Sequence, residues 1–126
     1  RDYAGTMGEF FRSMFAPGEL GRAQENRVAR EIVMRGRLPQ PSAAQRTLDT
    51  LAAADLRALL PHVDRPVLLV HGSDDTVCLP AAASFMAQQL PAADLRMFEG
   101  CGHAPFLSHP EEFNAVLAQF LAGLYP

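Results

Sequence analysis

The spacing of apolar positions along the chain changes character once, near residue 65. Before that point it is helical. Phe10, Phe11, Met14 and Phe15 recur at one-turn spacing and form one apolar face. Ala16-Pro17-Gly18 breaks that helix. Residues 22–35 place Val28, Ile32 and Val33 on one side and Arg27, Arg30 and Arg35 elsewhere, and Leu38-Pro39-Gln40-Pro41 is the next break. Ser42 and Gln45 have the spacing of a capping box ahead of a helix through Leu48 and Leu51. Asp55 is placed to cap a short helical turn, Leu56 to Leu60, that Pro61 ends.

After Arg65-Pro66 the pattern alternates between strand and helix. Val67-Leu68-Leu69-Val70 is an unbroken aliphatic run, which predicts a strand buried on both faces of a parallel sheet. Leu79 to Leu90 reads as a helix with Phe85, Met86 and Leu90 placed to pack, and Pro91 stops it. Leu95 to Phe98 reads as a second strand, ended by Gly100 and Gly102. Ser108 is placed to cap a last helix, with Pro110, Glu111 and Glu112 in its first turn and Phe113, Val116, Leu117, Phe120, Leu121 and Leu124 at helical period. Strands separated by helices predict parallel pairing through a right-handed crossover. Two strands alone cannot close a sheet core, so this class of fold implies partners for them beyond residues 1–126.

Composition narrows this picture. The chain has 126 residues and a formal net charge of −3, with no Lys. Residues 1–57 hold nine Arg against seven acids; residues 66–126 hold one Arg against six acids. The overall acidity argues against nucleic acid as the main partner. No apolar run reaches the ~18 residues of a membrane helix. Cys78 and Cys101 match no zinc spacing and make no disulfide framework, which suits a reduced, cytoplasmic protein.

Ligands of parallel α/β sheets bind beyond the carboxyl ends of the strands. Two polar stretches fall there: Gly72-Ser73-Asp74-Asp75 after the first strand and Gly100-Cys101-Gly102-His103 after the second. An acid and a histidine on neighbouring strand ends can meet, the acid holding the imidazole in one tautomer. Arg65-Pro66-Val67-Leu68-Leu69-Val70-His71-Gly72 with Asp75 three residues later, and Gly100-Cys101-Gly102-His103 with Pro110 and Phe113 downstream, resemble the acid and histidine loops of α/β-hydrolases. The resemblance implies Asp75 as triad acid and His103, 28 residues on, as general base, with no cofactor and no metal. Asp74 competes with Asp75, and the spacing from Gly72 favours Asp75. It also implies a helical cap over residues 1–62 and a C-terminal core segment over residues 63–126: a partial α/β-hydrolase fold, helical cap followed by strand-helix-strand-helix.

The family's nucleophile sits in a Gly-x-Ser-x-Gly elbow. None of Ser13, Ser42, Ser73, Ser84 and Ser108 lies in one. The family order of nucleophile, acid and histidine therefore puts the serine before residue 1, and residues 1–126 alone are expected to be inactive. Cys101 as a substitute nucleophile, or a metal bound by Cys78, Cys101 and His103, has little behind it. His71 reads as strand-end packing, His109 as surface or first-turn helix, and His62 as exposed.

The stretch Gly102 to Phe113 is similar to that of the biotin-pathway esterases that cleave the methyl ester of a pimeloyl chain on acyl carrier protein. The resemblance implies a small-molecule or acyl-carrier-linked ester as substrate. The five Arg against two Glu between Arg22 and Arg37 could steer an acidic carrier protein, or form a solvated face in which Arg27 pairs with Glu31. Phe11, Met14 and Phe15, with Val77 and Ala104 beside the acid and base, are the candidates for an acyl-binding surface. Lactonase, dehalogenase and haloperoxidase chemistry, or a catalytically silent interaction domain, are the alternatives on the same fold.

Overall fold

The computed structural model describes residues 2–21, 23, 24, 27, 31 and 39–125. Helix α1, Tyr3–Ser13, starts with the Thr6 N–H and hydroxyl both donating to the Asp2 carbonyl at 3.1 Å. It ends sooner than its apolar pattern predicts. Met14 is its C-cap, and the Ser13 hydroxyl turns back to the Phe10 carbonyl at 2.7 Å. Gly18 then takes φ +81°, a conformation that costs a side-chain-bearing residue. The chain reverses there, with Glu19 N–H on the Ala16 carbonyl at 3.1 Å and Ala16 and Leu20 buried. The helix expected over residues 22–35 lies for the most part outside the described residues.

Helix α2, Pro41–Ala53, is not opened by the expected capping box. Gln40 is the N-cap, without a side-chain cap bond, and Pro41 sits at the first helical position, where its missing N–H costs nothing. Ser42 is therefore inside the first turn, and Gln45 donates forward to Asp49 at 2.8 Å. A 3₁₀ helix, Arg57–His62, follows, one residue later than expected and running through Pro61 instead of ending there; Leu56 is its N-cap, and Asp55, one residue before the cap, accepts the Arg57 N–H at 3.1 Å.

Strand β1, Val67–Gly72, helix α3, Pro80–Gln89, and strand β2, Ala93–Phe98, form the predicted parallel unit. The register runs from Val67 opposite Ala93 to Gly72 opposite Phe98. Single-turn helix α4, Pro105–Ser108, and helix α5, Pro110–Leu124, complete the chain. Ser108 closes α4 and bonds back to the Ala104 carbonyl at 3.2 Å, so it does not cap the last helix; His109 occupies that position, again without a side-chain cap bond.

One expectation about burial is corrected. Val67 to His71 are half-buried, not buried on both faces. Among the described residues β1 and β2 pair only with each other, and a two-stranded sheet cannot cover its own faces. Leu117, Leu121 and Leu124 of α5 are likewise partly exposed. No helix of the described residues is long and apolar enough to cross a membrane.

Backbone segments approach closely at the carboxyl end of the sheet. A Cβ built on Gly72 would overlap the backbone carbonyls of Cys101 and Gly102. In the full-length protein, Gly72→Ala is expected to destabilise by about 3 kcal/mol or more, because backbone must move to admit the methyl group. Urea unfolding of the variant beside Gly123→Ala, whose added Cβ meets nothing, checks this.

Candidate active site

Beyond Gly72 the chain turns sharply and buries one of two adjacent acids. Asp74 stays exposed, its carboxylate accepting the Ser73 hydroxyl at 3.0 Å. Asp75 is 3% exposed. Its Oδ1 accepts the Val77 and Cys78 N–H groups at 2.8 and 2.9 Å, the local bonding that lets an aspartate shape a turn. Its Oδ2 lies 2.8 Å from Nδ1 of His103, 28 residues away. A carboxylate only accepts, so Nδ1 carries the proton and Nε2 is the basic nitrogen of His103. Burial pushes the Asp75 pKa up, and the hydrogen bonds from Cys78, His103 and Val77 outweigh it and hold the acid ionised below its ordinary value.

His71 lies on the same acid. Its Nε2–H donates to the Cys78 carbonyl at 2.8 Å and sits 3.3 Å from Asp75 Oδ2. Strand-end packing was the expectation; the structure adds this polar contact, which closes the acid turn onto β1. His109, expected at the surface or in the first turn of the last helix, is the N-cap of that helix and half-buried against Phe98, with its Nδ1 2.9 Å from the Ser108 hydroxyl. His62 is exposed, as expected.

The histidine loop is stitched to both its neighbours. Ser73 Oγ accepts the Gly100 N–H at 2.8 Å, and the Asp74 N–H donates to the Cys101 carbonyl at 2.9 Å. On the other side the His103 N–H donates to the Met14 carbonyl at 2.6 Å. Glu19, which drew no attention in the sequence, has a fully buried carboxylate below this loop. It accepts the Ala16 and Gly102 N–H groups at 2.6 and 2.8 Å and the Cys101 thiol at 3.0 Å. The only sequence signal is the turn at Pro17-Gly18, which says nothing of where the next side chain goes.

A groove of about 420 Å³ runs along β1 to this pair, with Leu68, Val70, Met86, Asp75 and His103 among its walls. Met14 meets the histidine loop through its backbone; Phe11, Phe15 and Val77 are half-buried nearby in the chain, and Ala104 is fully buried, with no side-chain surface to offer. Of the Arg22 to Arg37 stretch only Arg27 and Glu31 carry described charges, exposed and 3.8 Å apart; the other arginines lie outside the described residues.

Cys101 is fully buried, and burial pushes its thiol up to about 12, so it is a hydrogen-bond donor and no thiolate nucleophile. Cys78 is exposed and both cysteines are free. Among the described residues, the ligand-type atoms that converge within 4.8 Å are those of Glu19, Cys101 and His109, a set without Cys78 and His103. Its carboxylate already serves two N–H groups and a thiol that holds its proton. That donor set suits hydrogen bonding better than a metal.

A parallel strand pair with an ionised acid and an imidazole joined beyond its carboxyl ends defines an α/β protein with a polar site at the expected strand ends. A family model described as the alpha/beta hydrolase family matches residues 2–116, and the chain belongs to that family. Curated relatives include the pimeloyl-acyl-carrier-protein methyl ester esterases of Nitrosomonas europaea, 42% identical over 90% of this chain and 44% of the relative, and of Aromatoleum aromaticum, 38% identical over 97% and 50%. The chain thus spans about half the length of the curated relatives it matches. Among solved structures, a bromoperoxidase from Bacillus anthracis superposes with a TM-score of 0.81 at 20% identity, covering 97% of this chain and 45% of that one. An esterase from Exiguobacterium antarcticum does so with a TM-score of 0.81 at 23% identity, covering 96% and 43%. At those identities the likeness is one of fold.

The buried acids predict a pH dependence. Asp75 and Glu19 both have folded-state pKa values below their ordinary 3.8 and 4.5. A depressed acid contributes stability that is full above its unfolded value and is lost as pH falls through its folded value. Thermal unfolding of the full-length protein is expected to hold its midpoint above about pH 5 on this account and to lose it steadily below pH 4. Asp75→Asn should flatten that acid limb.

Proposed function

We propose that the complete protein is a serine esterase in which Asp75 is the acid and His103 the general base of a Ser-His-Asp triad. The observation that carries this is the 2.8 Å bond between Asp75 Oδ2 and His103 Nδ1, made by an acid buried beside an exposed one. It leaves Nε2 as the base that takes the serine proton, while Asp75 stabilises the imidazolium that forms. The serine attacks the ester carbonyl, the alcohol leaves with the proton returned from Nε2, and His103 then activates water to hydrolyse the acyl-enzyme. The nucleophile and the oxyanion-hole donors come from outside residues 1–126, consistent with the absence of Gly-x-Ser-x-Gly in them. Residues 1–62 serve as cap and residues 63–126 as core segment.

The relatives named as pimeloyl-acyl-carrier-protein methyl ester esterases support a reading of the substrate class. We infer a methyl ester of an acyl chain held on a carrier protein, met in the cytoplasm, with Phe11, Met14, Phe15 and Val77 beside the chain and the positive charge of the sequence from Arg22 to Arg37 attracting the acidic carrier. The relatives named as esterases favour the enzyme over a catalytically silent interaction domain.

In the full-length protein, Asp75→Asn and His103→Ala are each expected to lower kcat by on the order of 10⁴ on a short-chain methyl ester. Asp74→Asn should stay within about threefold, as a solvated surface acid contributes little. A large effect at Asp74 with none at Asp75 would move the acid by one residue. Robust turnover by residues 1–126 alone would remove the need for an outside serine. Faster cleavage of the carrier-linked methyl ester than of the free diester, reversed by added salt, tests the carrier surface.

A further inference from the structure

The histidine loop is held from one side by the acid turn and from the other by a buried carboxylate that the triad does not use. We propose that Glu19 is a positioning residue of the hydrolytic site: it clamps the loop Gly100–His103 onto the turn after α1 and so sets the backbone from which His103 reaches Asp75. The proposal rests on the triad reading above and adds to it a second acid with a different task.

Two consecutive N–H groups of the loop are taken by one short segment. Gly102 N–H donates to Glu19 Oε2 at 2.8 Å, across 83 residues, and His103 N–H donates to the Met14 carbonyl at 2.6 Å. The same Oε2 holds its own turn together through the Ala16 N–H at 2.6 Å. Oε1 takes the Cys101 thiol at 3.0 Å. Glu19 therefore ties residues 101 and 102 to residue 16, while Met14 ties residue 103 to residue 14. The backbone on the N-terminal side of His103 is left little freedom, and its ring is fixed at the far end by Asp75.

The contact is too close to be replaced by ordinary packing. A Cβ on Gly102 would overlap the Met14 carbonyl, the Ala16 nitrogen and the Phe15 Cα. Two backbone segments at this distance bring N–H groups together without carbonyls enough to receive them. A carboxylate supplies two oxygens at once, and charge-assisted bonds of this kind are roughly twice as strong as neutral ones. Burial pushes the Glu19 pKa up, but the bonds it accepts pull it down by more, so the group is an anion where it sits. Removing it would strand the Gly102 and Ala16 N–H groups in the interior and free the loop that carries the base.

The test uses the full-length protein and three substitutions, each checked for native circular dichroism and thermal midpoint at the assay temperature. Glu19→Asp keeps the charge but withdraws the carboxylate by one methylene from Gly102. It should lower kcat by about 10²-fold, the scale of a misplacement near 1 Å, with KM within about twofold. Glu19→Gln keeps one oxygen for both N–H groups at the same reach and should retain kcat within about fivefold, since it loses the charge assistance and the acceptor for the Cys101 thiol, which still has the Ser108 hydroxyl beside it. His103→Ala is the reference. If His103→Ala is inactive while folded Glu19→Asp turns over like the parent, or loses only KM, Glu19 does not position the base and the triad reading stands. If His103→Ala keeps its activity, the triad reading itself falls and the role of Glu19 falls with it.

Discussion

The burial of the Asp75 carboxylate is the constraint from which the rest of the site follows. An ionised acid taken out of water without partners costs several kcal/mol. Asp75 sits 3% exposed because the Val77 and Cys78 N–H groups and the His103 ring all point at it. Two of those donors are local and come with the turn. The third is distant and must be delivered by a second loop. The histidine loop therefore adds to the local bonds that keep the buried acid ionised, and the acid in turn orients the histidine ring.

Glycine makes that meeting possible on both sides. Gly72 lets the end of β1 approach the Cys101 and Gly102 carbonyls, and Gly102 lets the same loop approach the segment from Met14 to Ala16. The loop is thus pressed between two backbones, with no room for side chains at either contact. What remains polar in that sandwich is paired: Gly100 N–H with Ser73 Oγ, Gly102 N–H with Glu19, His103 N–H with Met14. Site and fold are held by the same bonds, and a substitution that loosens one loosens the other.

Much of this was legible along the chain. The change of period near Arg65, the aliphatic run at Val67 and the glycines after Phe98 foretold a parallel strand pair with two polar loops at one end. The spacing from Gly72 separated Asp75 from Asp74, and the structure places the first inside and the second outside. Helix ends were read less well. Ser42 and Ser108 have the composition of caps, but Pro41 and Pro110 take the first helical position after Gln40 and His109, and a fixed proline φ decides where a helix starts more firmly than a hydroxyl does. Strand burial was overread because a run such as Val67 to Val70 announces an apolar environment, and whether neighbours supply it is a property of the assembly of strands.

The sequence by itself determined the order of elements, because that rests on local periodicity, and the resemblance of its two polar loops to those of α/β-hydrolases implied the family and the pairing of Asp75 with His103. Only the tertiary structure decided which further groups share the site. His71 leans on Asp75 because Cys78 turns its carbonyl back to the strand end. Glu19 lies under the histidine loop because the chain reverses at Gly18 and returns 83 residues later to the same place. Contacts of that length leave no trace in period or composition, since any residue between could be exchanged without altering the pattern. The acid and the histidine can be read from the chain; the Glu19 carboxylate below the histidine loop is visible only once the loops have met.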